Sequence, residues 1–164
     1  MSDTIEVVWG HGDAGTPLSA FDAALAGAGI HNYNLVTYSS VIPPGRAVAR
    51  TGRTEAAYGV GAPVGVVLAA AETTRPSDTV AAGLGWARAE EGGVLMESTA
   101  GSAEAVRADL REKLADARRL RDWNWEEERR LEVREHTVDR TGAVVVAAVY
   151  GPLAYAEDDA APVR

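Results

Sequence analysis

The chain has 164 residues, 46% apolar and 24% charged, enough for one domain with its own core and too apolar for wholesale disorder. It has no cysteine, which excludes disulfides, thiolate nucleophiles, Fe–S clusters and cysteine-ligated zinc. Sixteen basic against twenty-four acidic residues give a net charge of −8, a poor match to sequence-independent nucleic-acid binding.

In chain order, residues 5–9 read as a first strand and residues 10–15 as a glycine-containing loop. Thr16-Pro17 reads as a helix start, with Thr16 as N-cap and Pro17 at the first helical position. Leu18, Phe21, Ala24, Leu25 and Ala28 then recur at helical spacing, and Gly29 suits the stop. Residues 33–38 form a second strand that Pro43-Pro44-Gly45 terminates. Residues 64–71 and 79–90 read as two strands rich in Ala and Gly, whose small side chains let a facing layer come close. A strand over 94–98 precedes a long helix capped by Ser102, with an apolar stripe of Val106, Leu110, Leu114, Ala117 and Leu120 or Arg121. Residues 131–138 alternate, 139–142 turn, and 143–150 read as a buried strand. The acidic tail 154–164 is expected to fray. The two halves echo one another as strand, helix, strand, strand, with no linker between them. A single domain over 1–164 is the expectation.

No apolar run reaches the roughly 20 residues of a membrane span. The acidic start Met1-Ser2-Asp3-Thr4 is unlike a signal peptide, so a soluble cytoplasmic protein is expected. His11, His31 and His136 lack metal-ligand spacing, so no metal is expected. Trp86, Trp123 and Trp125 suit core or subunit contacts, and the run from Glu126 to Arg130 a solvated turn.

Two stretches carry candidate chemistry. Gly10-His11-Gly12-Asp13-Ala14-Gly15 matches G-x-G-x-x-G between a strand and a helix, the setting of a dinucleotide site. The second strand, however, ends in Tyr38-Ser39-Ser40, where an acidic ribose ligand is expected. A plain turn is the simpler reading. The other stretch places a Ser-Ser pair at a strand end before two prolines. Taken alone, it is equally a set of turn formers.

A family resemblance gives the second stretch a chemical meaning. Gly15-Thr16-Pro17-Leu18-Ser19-Ala20-Phe21-Asp22-Ala23-Ala24-Leu25, Asn32-Tyr33-Asn34-Leu35 and Ser39-Ser40-Val41-Ile42-Pro43-Pro44 occur in order. Gly93-Val94-Leu95-Met96-Glu97 and Glu135-His136-Thr137-Val138-Asp139 follow. Together they resemble the pyruvoyl-dependent arginine decarboxylases over nearly the whole chain. The resemblance implies an αββα sandwich of two closely packed, mainly antiparallel sheets with outer helices. It implies self-cleavage between Ser39 and Ser40 into a β chain, 1–39, and an α chain, 40–164. By the same resemblance, attack of the Ser40 hydroxyl on the Ser39 carbonyl, then β-elimination and hydrolysis, is expected to turn residue 40 into a covalent pyruvoyl group. No metal or pyridoxal phosphate is needed. The pyruvoyl ketone forms a Schiff base with L-arginine, which leaves as agmatine and CO2, for polyamine synthesis or acid resistance.

The same resemblance assigns Asn34 to self-processing, Glu97 to proton donation, and Asp22, Leu18, Tyr33 and Val41 to the substrate pocket. Tyr33 and His31 depart from the smaller or aliphatic residues associated with their positions. A lone Glu97 in an apolar strand suggests burial and a raised pKa; a strand facing water is the alternative. His136 matches a motif with no role beyond strand packing or a hydrogen bond. Trimers or pairs of trimers, with sites between subunits, are implied. A related amino-acid substrate, an uncleaved binding or structural homologue, and a nucleotide-binding module remain as alternatives.

Overall fold

A computed structural model describes residues 4–153 of the chain. In order, the elements are β1 (Thr4–Ala14), α1 (Pro17–Ala28), β2 (Asn34–Thr37), β3 (Val41–Ile42), β4 (Ala47–Gly52), β5 (Pro63–Thr73), β6 (Thr79–Ala89), β7 (Gly92–Ala100), α2 (Ala103–Arg119), β8 (Trp125–Thr137) and β9 (Thr141–Pro152). Five strands form one sheet in the order β2-β5-β9-β1-β4, and four form a second in the order β3-β7-β6-β8. Pairing is antiparallel except for β1 with β4 and β2 with β5.

Alternation along the strands builds the layers. Val7 of β1, Val67 of β5, Leu84 of β6, Leu95 of β7 and Val146 of β9 meet between the sheets. The opposite face of the first sheet, with Val8, Val66 and Val145, packs on Ala20, Ala24, Leu25 and Ala28 of α1. The opposite face of the second sheet packs on Val106, Leu110, Leu114 and Ala117 of α2. The order is therefore helix, sheet, sheet, helix, the sandwich that the resemblance implies. Burying a Val or Leu side chain fully contributes about 1.5–3 kcal/mol, so this patterning drives the assembly.

Both helices begin where the sequence places them. The Thr16 and Ser102 hydroxyls accept from the Ser19 and Ala105 N–H groups, each at 3.2 Å, which satisfies otherwise unpaired helix donors. The α2 stripe ends at Ala117; Leu120 is exposed and Arg121 half-buried. Leu18 is 76% exposed and is not part of the α1 core stripe.

The glycine stretch is not a loop. Residues through Ala14 belong to β1, and α1 crosses directly over them. A Cβ on Gly10 would lie 2.1 Å from the Ala24 carbonyl oxygen, and one on Gly12 would lie 2.5 Å from the Ala23 methyl. These glycines let a helix approach a strand, and the helix fills the space a nucleotide would need. The run from Glu126 to Arg130 is likewise strand, not turn: it extends β8 along β6 with exposed side chains.

The two sheets are also joined by charge. Buried Glu132 of β8 binds both Arg50 of β4 and Arg134, whose guanidinium stacks 4.0 Å from the Trp9 ring centroid. The expected fraying of 154–164 concerns residues outside those described. Among the described residues, no helix is long and apolar enough to cross a membrane.

Candidate active site

The chain passes from the first sheet to the second at Ser39-Ser40. On the near side, the Tyr38 N–H continues the β2–β5 ladder by donating to the Val66 carbonyl at 2.9 Å. Its ring covers Gly65, where a Cβ would meet the ring at 2.3 Å. On the far side, Val41 and Ile42 pair with Val94 and Gly93 of β7. The Leu95 N–H donates to the Ser40 carbonyl at 2.9 Å, and the Tyr150 hydroxyl donates to the Val41 carbonyl at 2.8 Å. These anchors force the step into one residue. Ser40 has φ 64°, the left-handed region that costs a residue with a side chain of order 1–3 kcal/mol.

Strain here directs the side chain. The Ser40 hydroxyl donates to Glu97 Oε2 at 3.2 Å, across 57 residues of sequence. Glu97 pairs with Leu84 across β6–β7 and shares its face, toward the gap between the sheets. Yet Glu97 is exposed, contrary to the burial expected from its apolar strand. The reason is the length of β3: its two residues cover β7 only at Gly93 and Val94, leaving the strand edge open beyond them. Glu97 lines a cleft of about 280 Å³ between β5, β7 and α2.

That cleft contains groups the sequence reading did not single out. Asp109 of α2 accepts from the Ser98 hydroxyl at 2.5 Å and from the Lys113 ammonium at 2.6 Å. Lys113 also donates to the Glu97 carbonyl at 3.0 Å. The hydrogen bonds from Lys113 and then from Ser98 hold the Asp109 carboxyl below its ordinary pKa. The i,i+4 acid–base spacing of Asp109 and Lys113 is the sequence signal for this pair. Its connection to β7 is visible only in three dimensions.

The other candidate residues are distributed differently. The Asn34 amide donates to the Gly61 carbonyl at 2.8 Å and so anchors the 59–62 turn. Tyr33 is half-buried, its hydroxyl bonded to the Ala56 carbonyl at 2.7 Å and its ring against Tyr58. Val41 is 48% exposed beside Ser40. Asp22 and Leu18, one helical turn apart, lie exposed on α1, in the outer layer against the first sheet. One chain thus joins Ser40, Val41 and Glu97 and holds Asp22 and Leu18 in another layer. His136 makes the hydrogen bond anticipated for it, to Asp13 at 2.7 Å, and stacks on His11. Trp86 is core, while Trp123 and Trp125 pack together under Arg121 and Arg118.

A family model described as pyruvoyl-dependent arginine decarboxylase matches residues 4–154. The chain belongs to this family. A pyruvoyl-dependent arginine decarboxylase of Halobacterium salinarum is 35% identical over 156 residues, covering 90% of this chain and 93% of the relative. Those of Methanococcus vannielii and Methanocaldococcus jannaschii are 32% and 28% identical, each covering close to nine-tenths of both chains.

Proposed function

We propose that the chain cuts itself between Ser39 and Ser40, converts residue 40 to a pyruvoyl group, and decarboxylates L-arginine to agmatine and CO2. The observation that carries the reading is the Ser40 hydroxyl, held on a left-handed backbone and bonded to Glu97 at 3.2 Å. Glu97 is placed to accept the hydroxyl proton as Ser40 Oγ attacks the Ser39 carbonyl carbon. The Ser39–Ser40 C–N bond breaks as the ester forms. Loss of the Ser40 α-proton and cleavage of the Cβ–Oγ bond then release the Ser39 carboxylate and leave dehydroalanine. Water adds and ammonia departs. Scission also releases the strain at residue 40, which favours the products.

When present, the pyruvoyl group supplies an electrophilic ketone that takes up the substrate amine and the electron pair left by CO2. The residues around position 40 fit it: the Leu95 N–H fixes the adjacent carbonyl, Val41 offers an apolar contact, and Glu97 can return a proton to the substrate α-carbon. Asn34, bound to Gly61, acts on processing by fixing the start of β2 rather than by touching the Ser39 peptide of its own chain.

Asp22 is the partner for the guanidinium, which a carboxylate can hold by two parallel charge-assisted bonds. Asp22 and Leu18 lie on the exposed face of α1, across the first sheet from Ser40. A site containing both groups therefore takes them from adjacent copies, in a trimer or a pair of trimers. The open β7 edge and the exposed Val41 support that arrangement.

Intact mass under denaturing conditions tests the reading. In proportion to length, a 17.2 kDa chain cut after residue 39 yields fragments of about 4 and 13 kDa. The larger fragment should lack one ammonia relative to a hydrolysis product beginning at serine. Ser40→Ala, with no β-oxygen, should remain whole and release no CO2 from arginine. An uncut, inactive wild-type chain would instead mean a scaffold without the chemistry.

A further inference from the structure

Beyond β3, the edge of β7 presents backbone groups that no strand among the described residues covers. Residues 95 and 97 direct their N–H and C=O groups to this edge, since alternate residues of a strand point the same way. The Leu95 N–H is taken by the Ser40 carbonyl. Two residues farther along the edge, the Glu97 carbonyl is taken by the Lys113 ammonium at 3.0 Å. The ammonium is fixed in turn by Asp109 at 2.6 Å, and Asp109 by the buried Ser98 hydroxyl at 2.5 Å. Helix α2 thus grips β7 at two successive residues, 97 through its carbonyl and 98 through its side chain.

We infer that Lys113 is a positioning residue for Glu97, its ammonium replacing the missing strand partner on the β7 edge and holding the Glu97 backbone in register with residue 40. The inference rests on the assignment of Glu97 and Ser40 above. An exposed i,i+4 ion pair alone contributes only about 0.3–0.5 kcal/mol to stability, so a purely structural Lys113 would be nearly neutral. A positioning Lys113 acts on the chemistry, because displacement of a reacting group by about 1 Å can cost about 100-fold in rate. Asp109 belongs to the same device, since without it the long lysine side chain has no reason to stay over the edge.

The test uses the full-length protein carrying Lys113→Met, which keeps the alkyl stem, Lys113→Arg, which keeps a cationic donor, and Asp116→Asn. The last breaks the other α2 ion pair, with Arg119, which does not touch β7. For each, the cleaved fraction is read by denaturing mass spectrometry, and kcat, KM for arginine and the pH–rate profile are measured on cleaved protein. Lys113→Met should lower kcat about 10-fold or more with KM within about twofold, and shift the pH–rate profile. Lys113→Arg should recover most of that loss, and Asp116→Asn should match wild type. Lys113→Met with wild-type kcat and pH profile would overturn the inference, as would an equal loss in Asp116→Asn. If Lys113→Met does not fold, full activity in Asp109→Asn overturns it, and a kcat loss in Asp109→Asn with KM within about twofold supports it. An uncleaved wild-type chain would remove the underlying Ser40 assignment, a result distinct from a cleaved, active wild type that is indifferent to Lys113.

Discussion

Tyr150 and Val41 lie 109 residues apart, yet the tyrosine hydroxyl donates to the valine carbonyl at 2.8 Å, one residue past the Ser39-Ser40 step. The tyrosine is buried at the end of β9, with Tyr38 edge-on to its ring at 4.9 Å. One aromatic side chain therefore contacts residues on both sides of Ser40. Tyr150→Phe keeps the ring and removes this donor to the Val41 carbonyl. A typical hydrogen bond contributes about 0.5–1.5 kcal/mol net. A lower melting temperature and slower chain scission, followed by gel after synthesis, are the expected outcomes.

The same residue predicts alkaline behaviour. Burial pushes the Tyr150 hydroxyl up to about 12, with the Arg46 charge pulling the other way. The folded protein therefore favours the neutral phenol more than the unfolded chain does. That contribution is complete below pH 10 and disappears as pH rises through about 12. Two pKa units correspond to about 2–3 kcal/mol. Urea unfolding at pH 9 and pH 11.5 should show this loss in wild type and a smaller one in Tyr150→Phe.

Asp22→Asn keeps the size of the side chain and removes its charge. A charged hydrogen bond is worth about 1.5–3 kcal/mol, or roughly 10–100-fold in affinity. Arginine KM should rise by that factor with kcat little changed and chain scission unaffected. Unaltered KM would mean that another amino acid is the substrate or that the guanidinium binds elsewhere.

Gly10→Ala tests the account of the glycine stretch. The added methyl would face the Ala24 carbonyl at 2.1 Å, so α1 must lift away from β1. Overpacking of this kind costs about 1–3 kcal/mol, visible as a fall in melting temperature. Equilibrium dialysis of the wild type against NAD or ATP should show no binding.

The elements with strong periodicity were legible from the sequence: both helices with their caps, the strands around 64–71, 79–90 and 143–150, and the small-residue faces that allow close layers. The Gly10–Gly15 stretch misled because glycine marks a turn or a phosphate loop as readily as a helix crossing, and only the position of Ala23 and Ala24 distinguishes them. The strand character of Glu126 to Arg130 was hidden because an exposed edge strand needs no apolar alternation. β3 and β4 were too short and irregular for any period to show. At the candidate site, Ser40 and Glu97 stand out only through the family motifs. The exposure of Glu97 follows from the shortness of β3, and Lys113 reaches the site through α2 packing. Neither is written in local sequence.

The strand order carries a consequence for a chain cut after Ser39. The fragment 1–39 would contain β1, which sits inside the first sheet between β9 and β4, along with α1 and the β2 edge. Both of β1's neighbours would belong to the other fragment, with no covalent tie between the pieces. Before the cut, folding is a first-order event independent of dilution. After it, recovery from denaturant becomes an encounter between two molecules, slower at low concentration and sensitive to loss of the smaller one. The processed enzyme would therefore owe its lifetime to slow opening of the sandwich rather than to easy reassembly.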